Sequence, residues 1–180
     1  MLEKFIQDYY RNTGQKWKWY AVIRLLTERR LRYLLYFRVL QENKLKFFWP
    51  FCWGGRYIIS RFSGIEILPQ TQIGGGFRMV HPFNITINEN AILGKNVNIY
   101  KGATIGYAKG KKEGVPQIGS NVQIGINSTV VGGIVIGNDV LIAPNVFLNK
   151  DVPDHSIVLG NPATIISRDE ATKQYIEFKV

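Results

Sequence analysis

The sequence predicts a left-handed parallel β-helix preceded by a helical segment. An aliphatic residue recurs every six positions over more than half of the chain. Glycine repeatedly follows that aliphatic. Before residue 64 the spacing is instead helical. Internal repeats of this kind decide the whole fold, because each repeat buries its apolar side only against its neighbours.

The six-residue series runs Ile67, Ile73 and Met79, then Ile87, Leu93, Ile99 and Ile105, and finally Ile118, Ile124, Val130, Ile136, Ile142 and Leu148. Glycine follows at Gly74, Gly94, Gly106, Gly119, Gly125 and Gly137. A short strand plus a turn makes one flat side, and three sides close a coil of about 18 residues. The aliphatic side chains point into the prism, and Gly, Asn and Asp tolerate its corners. Ordinary strands joined by glycine turns are the alternative, but they do not keep register over six positions from 118 to 148.

Residues 1–46 read as helical. Tyr20, Ile23, Leu26, Arg30, Leu34, Phe37 and Leu40 recur at mostly three- and four-residue steps. Arg24, Arg29, Arg32 and Arg38 are interspersed, and Pro50–Ser63 reads as a short connection. The expected organisation is a basic aromatic helical segment at 1–63, a β-helix at 64–166 with an extruded loop at 106–117, and a tail at 167–180.

Formal net charge is +10, unevenly placed. Residues 1–63 carry 13 Lys and Arg against 4 Asp and Glu, whereas 64–180 carry 10 against 9. Two readings of the first segment stay open: a helix packed on the main domain with solvated arginines, or a surface for an anionic membrane or lipid-linked substrate. No recognition motif supports nucleic-acid binding. Cys52 is the single cysteine, so an intrachain disulfide is impossible, which fits a reducing cytoplasm. Glu3, Lys4 and Asp8 do not start a signal peptide. Phe47–Ile59 is interrupted by Pro50, Gly54, Gly55 and Arg56, and falls short of the roughly 20 apolar residues of a membrane span. The expected location is cytoplasmic, with peripheral contact at the inner face of the membrane.

The repeat breaks twice, at His81-Pro82-Phe83-Asn84 and from Gly106 to Gln117. Insertions in a solenoid leave the prism, and function concentrates in such loops. Lys109, Lys111 and Lys112 in the second break suit the phosphates of a ligand, although a solvated loop is the default. His81 and His155 are the only histidines. A hydroxyl becomes a good nucleophile once a base of near-neutral pKa removes its proton, a role suited to histidine.

Residues 64–166 resemble the hexapeptide acyltransferase superfamily, which implies a homotrimer with sites between subunits. Gly64-Ile65-Glu66-Ile67-Leu68-Pro69, followed by Ile73-Gly74-Gly75-Gly76-Phe77-Arg78-Met79-Val80-His81, is similar to the serine acetyltransferase pattern. There an acidic residue fifteen positions before the catalytic histidine pairs with it, as Glu66 precedes His81. The resemblance implies His81 as base, Glu66 as its orienting carboxylate and acetyl-CoA as co-substrate, with no metal. Gly106, Tyr107, Lys109, Gly125, Ile126, Ala143 and Pro144 would border acetyl-CoA, and Val80 and Asn84 the acceptor. His155 precedes Gly160-Asn161-Pro162-Ala163 in a stretch resembling the closing coil, at a variable surface position.

Two positions depart from that pattern. Val80 stands where the family has an aspartate, and Gly114-Val115 where it has arginine and histidine. The departures resemble the capsule and exopolysaccharide branch and imply a saccharide hydroxyl as acceptor. The expected function is therefore saccharide O-acetylation in polysaccharide biosynthesis. The alternatives are serine O-acetylation, sugar N-acetylation and a non-catalytic trimeric scaffold. A zinc anhydrase of this shape needs three histidines, one more than the chain has.

Overall fold

Three parallel sheets, entered in turn by one short strand at a time, form a prism in a computed structural model that describes residues 2–42 and 45–180. Met1, Asn43 and Lys44, which belong to the expected N-terminal segment, lie outside the described residues.

The first sheet stacks β1 (Glu66–Ile67), β4 (Thr86–Ile87), β7 (Thr104–Gly106), β10 (Thr129–Val131) and β13 (Phe147–Leu148). The second stacks β2 (Gln72–Ile73), β5 (Ile92–Leu93), β8 (Gln117–Ile118) and β11 (Val135–Ile136). The third stacks β3 (Arg78–Val80), β6 (Asn98–Tyr100), β9 (Val122–Ile124), β12 (Val140–Ile142) and β14 (Ser156–Leu159), with β15 (Thr164–Ser167) added antiparallel. Register partners are the six-residue aliphatics themselves: Ile67, Ile87, Ile105, Val130 and Leu148 stand in one column. All thirteen members of the series are at most 3% exposed, so the repeat is the core.

Coil lengths locate the two interruptions. Ile87 to Ile105 and Val130 to Leu148 are each 18 residues. Ile67 to Ile87 is 20, and the two extra residues fall in the turn after β3. Ile105 to Val130 is 25, and the seven extra residues fall between β7 and β8. The other corners stay regular. Gly64, Asn84, Gly102, Asn127 and Asn145, all at positive φ, succeed one another where the third sheet turns into the first. At the end of each second-sheet strand, coils approach backbone to backbone. A Cβ on Gly119 would lie 2.6 Å from the Gly137 carbonyl oxygen, which explains glycine after the aliphatic there.

Among the described residues, the N-terminal segment holds four α-helices: α1 (Glu3–Thr13), α2 (Val22–Thr27), α3 (Arg29–Gln41) and α4 (Trp49–Ser63). Residues 50–63 are thus helical, not a connection. Pro50 sits in the first turn, where its missing N–H costs nothing. Gly55 is required by close packing, since a Cβ there would lie 2.5 Å from the Tyr36 ring. The three-and-four spacing splits: Leu34, Phe37 and Leu40 are buried, whereas Tyr20, Ile23 and Leu26 are exposed.

A buried ion pair fastens these helices to the prism. Arg38 Nε donates to Asp8 Oδ2 at 2.7 Å, with both side chains fully buried. Arg38 also donates to the carbonyls of Ile73 and Gly74, and Asp8 accepts from the Phe77 N–H. These bonds satisfy backbone groups on the first coil, whose strand β2 ends the second sheet and has no strand beyond it. The C-terminal tail runs back across the coils: Asp139 accepts from the Ala171 and Thr172 N–H groups, and Asn96 from the Val180 N–H. Buried Arg11 joins the tail to the prism by donating to the carbonyls of Glu177 and Gly76.

Candidate active site

His81 occupies the two-residue expansion of the first coil. It is exposed, and its backbone is left-handed at φ 50°, outside the regular corner stack. A histidine in that conformation is uncommon, and such backbones persist where the surrounding fold holds them. Val80 ends β3 half-buried, and Asn84 takes the corner position of the same turn. Glu66 opens β1 on the first sheet and points outward. Its register partner Thr86 places Oγ1 3.5 Å from Glu66 Oε2. Glu66, Val80, His81 and Asn84 therefore share the edge where the third sheet turns into the first. Among the described residues, no hydrogen bond or ion pair joins Glu66 to His81.

The same edge carries Gly125-Ile126 and Ala143-Pro144, in the turns after β9 and β12. A Cβ on Gly125 would lie 2.6 Å from the backbone of Ala143 and Pro144, so the coils form a flat step of main chain there. The Gly125 N–H bonds to Ile142 O, and the Ala143 N–H to Val158 O.

Gly106, Tyr107 and Lys109 lie elsewhere. They open the extruded loop at a different edge, where the first sheet turns into the second. Backbone bonds in both directions between Ala108 and Gly114 close this loop. Tyr107 donates its hydroxyl to Glu113, which holds the Tyr107 phenol above its ordinary range. Lys112 pairs with Asp151 at 2.6 Å, while Lys109 and Lys111 have no carboxylate partner among the described residues. One chain thus does not bring His81 together with the extruded loop. Gly114, at φ 131°, approaches Gly133, so a side chain at 114 is strained whatever its chemistry.

His155 is exposed and lies far along the prism, with Nδ1 2.9 Å from Asp139 Oδ2. That hydrogen bond raises the His155 pKa above 6.5. Burial pushes Asp139 up, but hydrogen bonds from Thr172, His155 and Ala171 outweigh it and hold its carboxyl below 3.8. The pair anchors the tail. The partnership of Glu113 with Tyr107 was not expected from sequence; its signal was a lone acid among the lysines of the second break. No group of three or more His, Cys, Asp and Glu among the described residues is arranged to hold a metal ion.

The prism and its repeat define a hexapeptide-repeat β-helix, and residues 116–150 match the family described as bacterial transferase hexapeptide (six repeats). More particular likenesses point one way. The chain is 40% identical over 110 residues to serine acetyltransferase 2 of Arabidopsis thaliana, covering 60% of this chain and 34% of that protein. It is 40% identical over 114 residues to a serine acetyltransferase of Staphylococcus aureus, covering 62% of this chain and 53% of that one. A solved serine acetyltransferase of Neisseria gonorrhoeae superposes with a TM-score of 0.71 at 27% identity, over 93% of this chain and 65% of that one. The chain spans about a third to a half of the length of these curated relatives.

These relatives correct the expected saccharide acceptor and polysaccharide pathway, because they are serine acetyltransferases rather than capsule enzymes. The expectation rested on Val80 and on Gly114-Val115, two positions judged one at a time.

Proposed function

We propose that this protein is an acetyl-CoA-dependent serine O-acetyltransferase acting as a homotrimer. The observation that carries the proposal is its 40% identity, over 110 to 114 residues, to serine acetyltransferases. The placement of His81 supports it, in a local expansion of an otherwise regular coil.

His81 removes the proton from the serine hydroxyl as its oxygen attacks the thioester carbonyl. The tetrahedral intermediate collapses, the carbon–sulfur bond breaks, and the protonated His81 returns the proton to the CoA thiolate. The products are O-acetylserine and CoA. Glu66, on the same edge, stabilises the imidazolium electrostatically. Acetyl-CoA lies along the step formed by Gly125, Ile126, Ala143 and Pro144. In a trimer, the His81 edge of one subunit meets the extruded loop of the next, whose Gly106 and Tyr107 complete the cleft. Lys109 and Lys111 then supply cations, for CoA phosphates or the serine carboxylate. Glu113 supplies the anion for the serine ammonium, in place of groups missing at Val80 and Val115.

The test is thiol release from acetyl-CoA with L-serine beside a panel of saccharides and other hydroxyl acceptors, with the product identified by mass. Formation of O-acetylserine supports the proposal. Turnover of another acceptor with L-serine inert refutes it.

A further inference from the structure

The outer side of the N-terminal helices is apolar where a protein surface is ordinarily polar. On α4, Cys52, Ile59 and Ser63 face inward, while Phe51, Trp53, Tyr57, Ile58 and Phe62 are exposed. The turn leading into α4 exposes Phe47 at 91%. On the far side, Trp19 is 84% and Leu26 77% exposed. Val22 and Leu25 of α2 share an apolar groove with Leu45, at the start of the turn that leads into α4. Isolated exposed apolar residues are normal, but this many on one helical segment mark an interaction surface.

Charge identifies the occupant. Arg24 of α2, Lys46 of the turn and Arg61 of α4 are exposed or half-exposed, as are Lys16, Lys18 and Arg29 in the segments that flank α2 in sequence. Between residues 14 and 63 the only acids are Glu28 and Glu42. Glu28 is engaged by Arg30 at 3.0 Å and approached by Arg24 at 3.8 Å. A second copy would set like charge against like, whereas an anionic lipid surface neutralises it. Aromatic side chains beside cations suit the boundary between headgroups and acyl chains. No helix among the described residues is long and apolar enough to cross a membrane.

We infer that the exposed faces of α2 and α4, with the turn that carries Phe47, form a docking surface for an anionic lipid bilayer, on which the protein lies peripherally. This rests on the helical segment alone and is independent of the acceptor assigned above.

The experiment is flotation of the full-length protein with vesicles of phosphatidylcholine alone and of equal parts phosphatidylcholine and phosphatidylglycerol, at low and high salt. Binding is expected to the mixed vesicles only, and to fall at high salt. A Lys46→Glu/Arg61→Glu variant should bind about 30-fold more weakly, and Phe47→Ser/Phe62→Ser about tenfold or more. Both should keep the wild-type circular dichroism and the wild-type thiol-release rate with soluble acceptor, so failure of docking is separable from failure of catalysis. Wild-type protein that ignores the mixed vesicles, or binds both kinds equally, overturns the inference. So does a Phe47→Ser/Phe62→Ser variant that loses assembly mass by light scattering while wild-type protein stays off vesicles, which would make the face an interface between copies.

Discussion

Glu66 and Thr86 are register partners on neighbouring coils, and Thr86 Oγ1 lies 3.5 Å from Glu66 Oε2. Thr86 follows His81 by five residues, so the strand that leaves the histidine turn is the one that pairs with the strand of Glu66. Glu66→Gln keeps a partner for Thr86 but removes the negative charge from the edge that carries His81. The expected result is a loss of about 10- to 100-fold in kcat, with KM for acetyl-CoA nearly unchanged. Steady-state kinetics check both quantities.

Arg38 is the most demanding side chain of the helical segment. Its loss leaves Asp8 buried and unpaired and frees the carbonyls of Ile73 and Gly74. Arg38→Met should lower stability by about 3–5 kcal/mol, measured by urea unfolding. The exposed Lys112–Asp151 pair is different in kind, and Lys112→Ala should not move the unfolding midpoint measurably.

Backbone contact between coils makes a second stability prediction. A Cβ on Gly119 would stand 2.6 Å from Gly137 O and 2.8 Å from its carbonyl carbon, main-chain atoms that cannot yield as a side chain does. Gly119→Ala should cost about 1–3 kcal/mol in the same assay. Gly54 meets nothing within 4 Å, so Gly54→Ala on the exposed side of α4 should be neutral or stabilising.

The C-terminal tail should respond to pH at its Asp139 anchor. The folded pKa of Asp139 lies below 3.8, so its contribution is present above that value and is lost as pH falls through the lower folded pKa. The folded pKa of His155 lies above 6.5, so its contribution is complete below 6.5 and is lost as pH rises through the higher folded pKa. Hydrogen exchange at the Ala171 and Thr172 amides, corrected for intrinsic rates, should be slowest between those limits. In His155→Gln the loss of protection on the alkaline side should disappear.

The β-helix was legible because a prism interior accepts one kind of residue at one interval. Ile67 to Leu148 announce it, and each ends buried. Both breaks were legible for the same reason, and they hold His81 and the extruded loop. The helix at 49–63 was not. Pro50 and the Gly54-Gly55 pair look like breakers, yet the first sits in an initial turn and Gly55 answers to the Tyr36 ring. Spacing in the first segment showed an apolar stripe but could not tell that Tyr20, Ile23 and Leu26 face outward. The acceptor was misjudged because it was inferred from the single positions Val80 and Gly114-Val115, whereas the matched relatives are serine acetyltransferases along the whole matched stretch.

The most direct test of the central claim is the rate of O-acetylserine formation from acetyl-CoA and L-serine by wild-type protein and by His81→Ala. A base at His81 predicts turnover by the wild type and a loss of about 10²- to 10⁴-fold in kcat in a variant that still folds and assembles. A His81→Ala variant with wild-type kcat would contradict the assignment of the base, and a wild type inert toward L-serine would contradict the proposed reaction.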